Sequence, residues 1–192
     1  KGMTVDTRRQ FEQMRLIAGN ANGHLADKIA AELCHQLEEA DVGRFEDGEV
    51  KVDLDCVVRG TDVFIVQSIC QSHNSAVERP CLSYAAAEER ADLPCTYQSI
   101  NDNLVELLVM IDAARRASAG RITVVVPYMA YAKQEKKKRG HEPITAKLVA
   151  NLITTAGADR FLVVDLHTPA IEGFFDIPVD HMRMAALMAA YF

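Results

Sequence analysis

The chain has 192 residues, with 21 Lys or Arg against 27 Asp or Glu, for a formal net charge of −6. The acidic balance argues against a general nucleic-acid binder, which would be basic, and 49% hydrophobic with 25% charged residues rules out disorder. No apolar run approaches the ~20 residues a membrane span needs. Lys1-Gly2-Met3-Thr4 lacks the apolar stretch of a signal peptide, so the expected compartment is the cytoplasm, with an organelle lumen left open. Five cysteines at irregular spacing, without a Cys-x-x-Cys pair, read as reduced thiols rather than a disulfide scaffold or zinc site. Cys34, inside an apolar helical pattern, reads as a small core residue.

Residues 1–15 read as an accessory arm. Regular structure is expected from the apolar strand at 16–19, closed by a turn glycine. Leu25, Ile29, Ala30 and Leu33 then recur at helical spacing, predicting an amphipathic helix over 23–37. Residues 50–54 alternate as a strand with one exposed face, and 62–67 is a β-branched apolar run of the buried parallel type. Leu104, Leu107, Leu108, Ile111 and Ala114 define a second helix from Asn103 to near Gly120. A buried strand at 122–126 is cut off by Pro127. A helix at 144–155, a strand at 161–165 and a last helix at 184–191 complete the chain. Strands alternating with helices predict an α/β fold, three layers around a mostly parallel central sheet. Ligands of such sheets sit at the carboxyl ends of the strands. Residues 71–100 break the rhythm, since strand-to-helix connections usually take 2–6 residues. They read as an insertion.

Three groups of residues could carry chemistry. Asp165, His167, Asp176 and Asp180 follow the strand at 161–165. A carboxylate and an imidazole two positions apart share a direction if strand geometry persists, and carboxylates there could hold Mg²⁺, which needs few direct protein ligands beside bound phosphates. The alternative is that Asp165 caps a loop and His167 is a satisfied, partly buried histidine. In the second group, Arg44-Phe45-Glu46-Asp47-Gly48-Glu49, Asp-Gly is first of all a hairpin tip. Otherwise Phe45 stacks on a flat ring while Asp47 and Glu49 accept from ribose or base donors. The third is Lys133-Gln134-Glu135-Lys136-Lys137-Lys138-Arg139-Gly140. Its seven residues from Lys133 to Arg139 carry +4, leaving −10 for the remainder of the chain. Such a run is usually a solvated loop, yet it occupies the strand-to-helix position where anions bind.

On these residues the chain resembles the N-terminal half of ribose-phosphate pyrophosphokinases. The matching stretches include Val42-Gly43-Arg44-Phe45 with Asp47-Gly48-Glu49, Asn101-Asp102-Asn103-Leu104 and Arg116-Ala117-Ser118-Ala119-Gly120-Arg121. They continue through Ala146-Lys147-Leu148-Val149-Ala150-Asn151-Leu152, Val164-Asp165-Leu166-His167 and Gly173-Phe174-Phe175-Asp176-Ile177-Pro178-Val179-Asp180. The resemblance implies a phosphoribosyltransferase-like fold. It implies transfer of the diphosphoryl group of ATP to ribose 5-phosphate with Mg²⁺, giving phosphoribosyl pyrophosphate and AMP for nucleotide biosynthesis. It also implies homo-oligomers, dimers assembling to hexamers, and phosphate or ADP as effectors. Carried over, Phe45, Asp47, Gly48 and Glu49 would reach ATP across a subunit interface. Lys133, Gln134 and His167 would also bind ATP, and Asp165, His167, Asp176 and Asp180 would surround the metal. No residue of this chain is assigned as catalytic.

The departures are as informative. Arg-Gln-Asp of the family reads Lys133-Gln134-Glu135 here, losing a guanidinium fork; Lys138 replaces an acid; Gln-Ile-Gln reads Ala170-Ile171-Glu172. No Asp-Asp…Thr-Gly ribose-phosphate signature occurs in the 192 residues. The expected organisation is therefore an arm at 1–15, one N-terminal domain at 16–192 with the insertion, and an absent ribose-phosphate-binding domain. Such a half-site would be inactive alone. Two other readings are a non-catalytic regulatory subunit that co-assembles with a synthetase, and a metal-dependent phosphohydrolase built on Asp165, His167 and Asp176.

Overall fold

The computed structural model describes residues 14–74 and 96–192. Most of the expected arm and the centre of the expected insertion lie outside the described residues. The chain order is β1 (Met14–Ala18), α1 (Gly23–Glu32), β2 (Ala40–Arg44), β3 (Val50–Leu54), β4 (Asp62–Val66), β5 (Ser72–Asn74) and β6 (Thr96–Gln98). There follow α2 (Ile100–Arg116), β7 (Arg121–Val126), α3 (Thr145–Ala156), β8 (Arg160–Val164), a 3₁₀ helix (Pro169–Phe174), β9 (Val179–Met182) and α4 (Ala185–Tyr191). Five strands form one sheet in the order β1-β4-β7-β8-β9, every pair parallel. The expected α/β fold with a mostly parallel sheet is what the chain adopts.

Alternation along these strands divides the apolar side chains between two faces. Val63, Ile65, Ile122, Val124, Val126, Phe161 and Val163 face the main core, with Leu107, Met110, Ile111 and Ala114 of α2 and Val149, Ala150 and Ile153 of α3. Leu16 and Val66 face the other way, against Ala26 and Ala30 of α1. The result is three layers. Phe161 is fully buried and stacks on Phe175 with centroids 4.3 Å apart, a pair worth about 1 kcal/mol beyond the area it buries.

Local chemistry sets the element boundaries. α1 stops at Glu32, well short of residue 37, because Cys34 adopts a left-handed φ of 51° and ends the run. Cys34 is consequently exposed, not a core residue. α2 starts earlier than its apolar spacing suggests, since Ser99 and Asp102 form a reciprocal capping box that satisfies its first amides. α3 ends at Gly157, whose φ of 124° suits glycine. β2 and β3 make a separate antiparallel hairpin, and β5 pairs with β6 at the two flanks of the undescribed segment. β1 begins at Met14, so the first two described residues belong to the sheet. Among the described residues no helix is long and apolar enough to cross a membrane.

Candidate nucleotide site

Parallel strands bring their carboxyl ends to one edge, and a cavity of about 380 Å³ opens there beyond β7 and β8. Its wall includes Tyr128, Tyr131, Lys133 and Gln134 from the loop after β7, Asp165 and His167 from the loop after β8, and Ile100 at the start of α2. Two loops separated by a whole helix thus bring a cation, an amide, a carboxylate and an imidazole into one concavity.

The loop after β7 is folded back by a turn. Tyr131 sits at φ 61°, and its carbonyl accepts from Gln134 N at 3.0 Å. The Tyr131 hydroxyl donates to Asn101 Oδ1 on α2. Gln134 is tied to the beginning of α3 twice: its side-chain oxygen accepts from the Thr145 hydroxyl, and its carbonyl accepts from Ala146 N at 3.3 Å. Farther along the basic run, Glu142 Oε2 accepts from the amides of Lys138 at 2.6 Å and Arg139 at 3.0 Å. Of the five cations in the run, Lys133 lines the cavity. The Glu135 carboxyl is held below its ordinary range, first by its own backbone amide, then by Lys136, whose Nζ lies 3.3 Å away, and by nearby His167.

The loop after β8 departs from strand geometry at once. β8 ends at Val164, and Asp165 has a left-handed φ of 43°. The shared direction of Asp165 and His167 therefore does not come from strand alternation; a tight turn brings both to the cavity. Asp165 N donates to Met182 O at 3.0 Å and its Oδ1 accepts from Met184 N at 3.2 Å. Asp165 does cap a backbone amide, and it lines the cavity as well.

The other two carboxylates are engaged elsewhere. Asp180 on β9 pairs bidentately with Arg160, one contact at 2.6 Å, and this guanidinium holds its carboxyl below the usual range. Arg160 opens β8, so the pair draws Asp180 toward the amino end of that strand. Asp176 is exposed, 3.6 Å from Lys147 Nζ, while that ammonium also donates to Phe174 O at 2.6 Å. Among the described residues no group of three or more His, Cys, Asp or Glu side chains could hold a metal ion. The donor set at the cavity, one carboxylate and one imidazole, suits a cation carried in on phosphate oxygens, which asks for one or two protein ligands.

The hairpin tip stands outside this cavity's lining. Gly48, at φ 93°, makes the turn; Phe45 N donates to Glu49 O at 2.8 Å and Glu49 N to Asp47 Oδ1 at 3.1 Å. Phe45 is 53% exposed. Arg44 braces the tip, donating to Gly48 O at 3.0 Å and lying 3.3 Å from Asp102 at the head of α2. Tyr128, Tyr131 and Ile100 were missed from sequence, although the tyrosines lie between the strand-ending Pro127 and the basic run that begins at Lys133.

Residues 14–157 match the family described as the N-terminal domain of ribose phosphate pyrophosphokinase. The chain belongs to this family. It is similar to the ribose-phosphate pyrophosphokinase of Fusobacterium nucleatum, 44% identical over 182 residues, covering 95% of this chain and 49% of that protein. It is similar also to the Clostridium tetani ribose-phosphate pyrophosphokinase, 45% identical over 181 residues, covering 94% of this chain and 48% of the relative. Among solved structures it resembles phosphoribosylpyrophosphate synthetase from Mycobacterium smegmatis, with TM-score 0.76 and 43% identity over 93% of this chain and 51% of the other. The fold is thus of the phosphoribosyltransferase type, and the chain spans about half the length of the ribose-phosphate pyrophosphokinases it matches.

Proposed function

We propose that this chain supplies the nucleotide half-site of a ribose-phosphate diphosphokinase. In that reaction the 1-hydroxyl of ribose 5-phosphate attacks the β-phosphorus of ATP, the bond between the α,β-bridging oxygen and that phosphorus breaks, and phosphoribosyl pyrophosphate and AMP result. The observation that carries the reading is the convergence of Lys133, Gln134, Asp165 and His167 on one cavity at the carboxyl edge of the sheet, in a chain of this family. Transfer of this kind depends on positioning and charge neutralisation more than on covalent work by the protein.

Each residue then has a physical task. Lys133 offsets polyphosphate charge as a single mobile point charge. Gln134, clamped to α3 through Thr145, is pre-set in orientation. Tyr128 and Ile100 give the cavity part of its apolar wall. Asp165 and His167 are the groups that would face Mg²⁺ accompanying the nucleotide, which supplies Lewis-acid stabilisation of the phosphate oxygens when bound. The exposed Phe45, with Asp47, Gly48 and Glu49, is assigned to the nucleotide of a neighbouring subunit in a homo-oligomer, because its own hairpin stands off the cavity. Lys136 to Arg139 are assigned to phosphate or ADP acting as effectors. Asp176 and Asp180, engaged by Lys147 and Arg160 away from the cavity, are left out of the metal set in this reading.

Calorimetric titration of Mg²⁺–ATP into the 192-residue chain tests the assignment. Saturable binding that weakens about tenfold in His167→Ala, or ~1.4 kcal/mol, is expected. Unchanged affinity in that variant would refute the site. The same preparation is expected to form no phosphoribosyl pyrophosphate from ATP and ribose 5-phosphate; measurable product would overturn the half-site reading while leaving the family intact.

A further inference from the structure

The His181 side chain on β9 is 7% exposed and has both ring nitrogens engaged. Nε2 lies 3.0 Å from the backbone nitrogen of Leu166, and Nδ1 lies 2.6 Å from Glu172 Oε1 in the 3₁₀ helix. A backbone N–H can only donate, so Nε2 must present its lone pair and the ring proton resides on Nδ1, where Glu172 accepts it. The carboxylate therefore selects the tautomer that can receive Leu166.

Leu166 is the residue between Asp165 and His167, both of which face the cavity. Asp165 occupies a left-handed conformation that costs a non-glycine residue about 1–2 kcal/mol and persists only when its surroundings over-determine it. Two of the bonds that do so involve Asp165 itself, its N–H to Met182 O and its Oδ1 from Met184 N. The third is the Leu166 amide on His181, which fixes the Asp165–Leu166 peptide plane, one residue before His167. Removing it frees the turn between the two cavity-facing side chains.

We propose that Glu172 and His181 act as positioning residues: through the Leu166 amide they hold Asp165 and His167 in the arrangement that receives a magnesium nucleotide. The identity of that ligand rests on the proposed function above; the mechanical linkage rests on the three hydrogen-bonding groups alone. The same logic governs outer partners that orient a histidine or carboxylate ligand elsewhere, whose loss typically costs 10–100-fold in affinity or activity.

The test uses the ¹⁵N-labelled 192-residue chain. Long-range proton–nitrogen spectra are expected to report the Nδ1–H tautomer for His181, and the Leu166 amide to exchange slowly. Glu172→Leu, at a side chain 40% exposed and so compatible with folding, is expected to speed Leu166 exchange at least tenfold. It should weaken Mg²⁺–ATP binding about tenfold with little change in Tm. Glu172→Gln, which still accepts from Nδ1–H, should rescue most of both losses; His181→Asn, whose side-chain oxygen can accept from Leu166, should outperform His181→Phe. An Nε2–H tautomer in the unmodified chain, unchanged Leu166 exchange in Glu172→Leu, or equal loss of nucleotide affinity in the Leu and Gln variants would overturn the proposal. If the unmodified chain binds no Mg²⁺–ATP, the nucleotide reading fails, and the tautomer and exchange results still decide whether the pair holds the turn.

Discussion

Glu106 is 1% exposed, and both its oxygens accept from neutral donors. Oε1 receives Asn20 N at 2.7 Å and Gln67 Nε2 at 2.9 Å; Oε2 receives Asn20 Nδ2 at 3.2 Å and Gln98 Nε2 at 3.4 Å. Replacing it with Leu takes the acceptor away from the two short bonds, and each buried donor so orphaned costs about 1–3 kcal/mol. Allowing about 1 kcal/mol back for added apolar burial, the net loss is roughly 1–5 kcal/mol, centred near ~3 kcal/mol. Glu106→Gln behaves differently. Its amide oxygen can keep the Oε1 position; its NH₂ then loses the bond from Asn20 Nδ2 and meets Gln98, whose own Oε1 is buried without a partner and becomes the acceptor after an amide flip. That variant should lose about 1 kcal/mol. Urea unfolding followed by far-UV circular dichroism reads the difference, since an m-value near ~2 kcal/mol/M turns a ~3 kcal/mol loss into a midpoint shift of about 1.5 M. A Leu variant that unfolds at or above the midpoint of the Gln variant would refute the reasoning.

Asp102→Ala should cost about 1 kcal/mol near neutral pH by removing half of the α2 capping box. The Ser99 hydroxyl and amide, then Arg44, hold the Asp102 carboxyl below its ordinary value, so this stability is present above about pH 4 and lost as pH falls through the depressed value. Denaturation curves at about pH 7 and pH 2.5 should show the gap between the two proteins closing at the acid end; a gap that stays open there would count against the cap. Gly157→Ala should destabilise by about 2 kcal/mol, because the residue is at φ 124° and an added Cβ would lie 2.5 Å from Arg115 Cδ. Adding Arg115→Ala should recover the steric part and leave the backbone part, measurable as a double-mutant cycle in Tm.

Most of the sheet was legible because β-branched runs such as Asp62–Val66 and Arg121–Val126 satisfy the demand of a strand buried on both faces. The helices were legible in phase and less so at their ends, where a single residue decides: Ser99 starts α2 early and Cys34 stops α1 early. Apolar spacing alone does not register either. Two of the candidate side chains, Asp165 and His167, meet at the cavity for a reason other than the one expected, a left-handed turn rather than strand alternation. Asp180 was read as free to face a cation, yet Arg160, twenty positions away in the chain, takes its carboxylate. The Gln67–Glu106 network was invisible to hydrophobic periodicity, which counts polar residues as breaks. The helical phase could have exposed it, since Glu106 follows buried Asn103 by three positions and precedes buried Met110 by four.

The sheet adds its strands in the same order as the chain supplies them, from β1 across to β9. A polypeptide leaving the ribosome amino end first can therefore dock each new strand on an edge already in place, never having to hold a gap for a later arrival. Ring closure is most demanding early, when Asp62 must find Arg121, and least demanding last, when Phe161 meets Val179. From the pairing of β4 with β7 onward, each closure spans less chain than the one before it, so the later strands join at falling entropic cost.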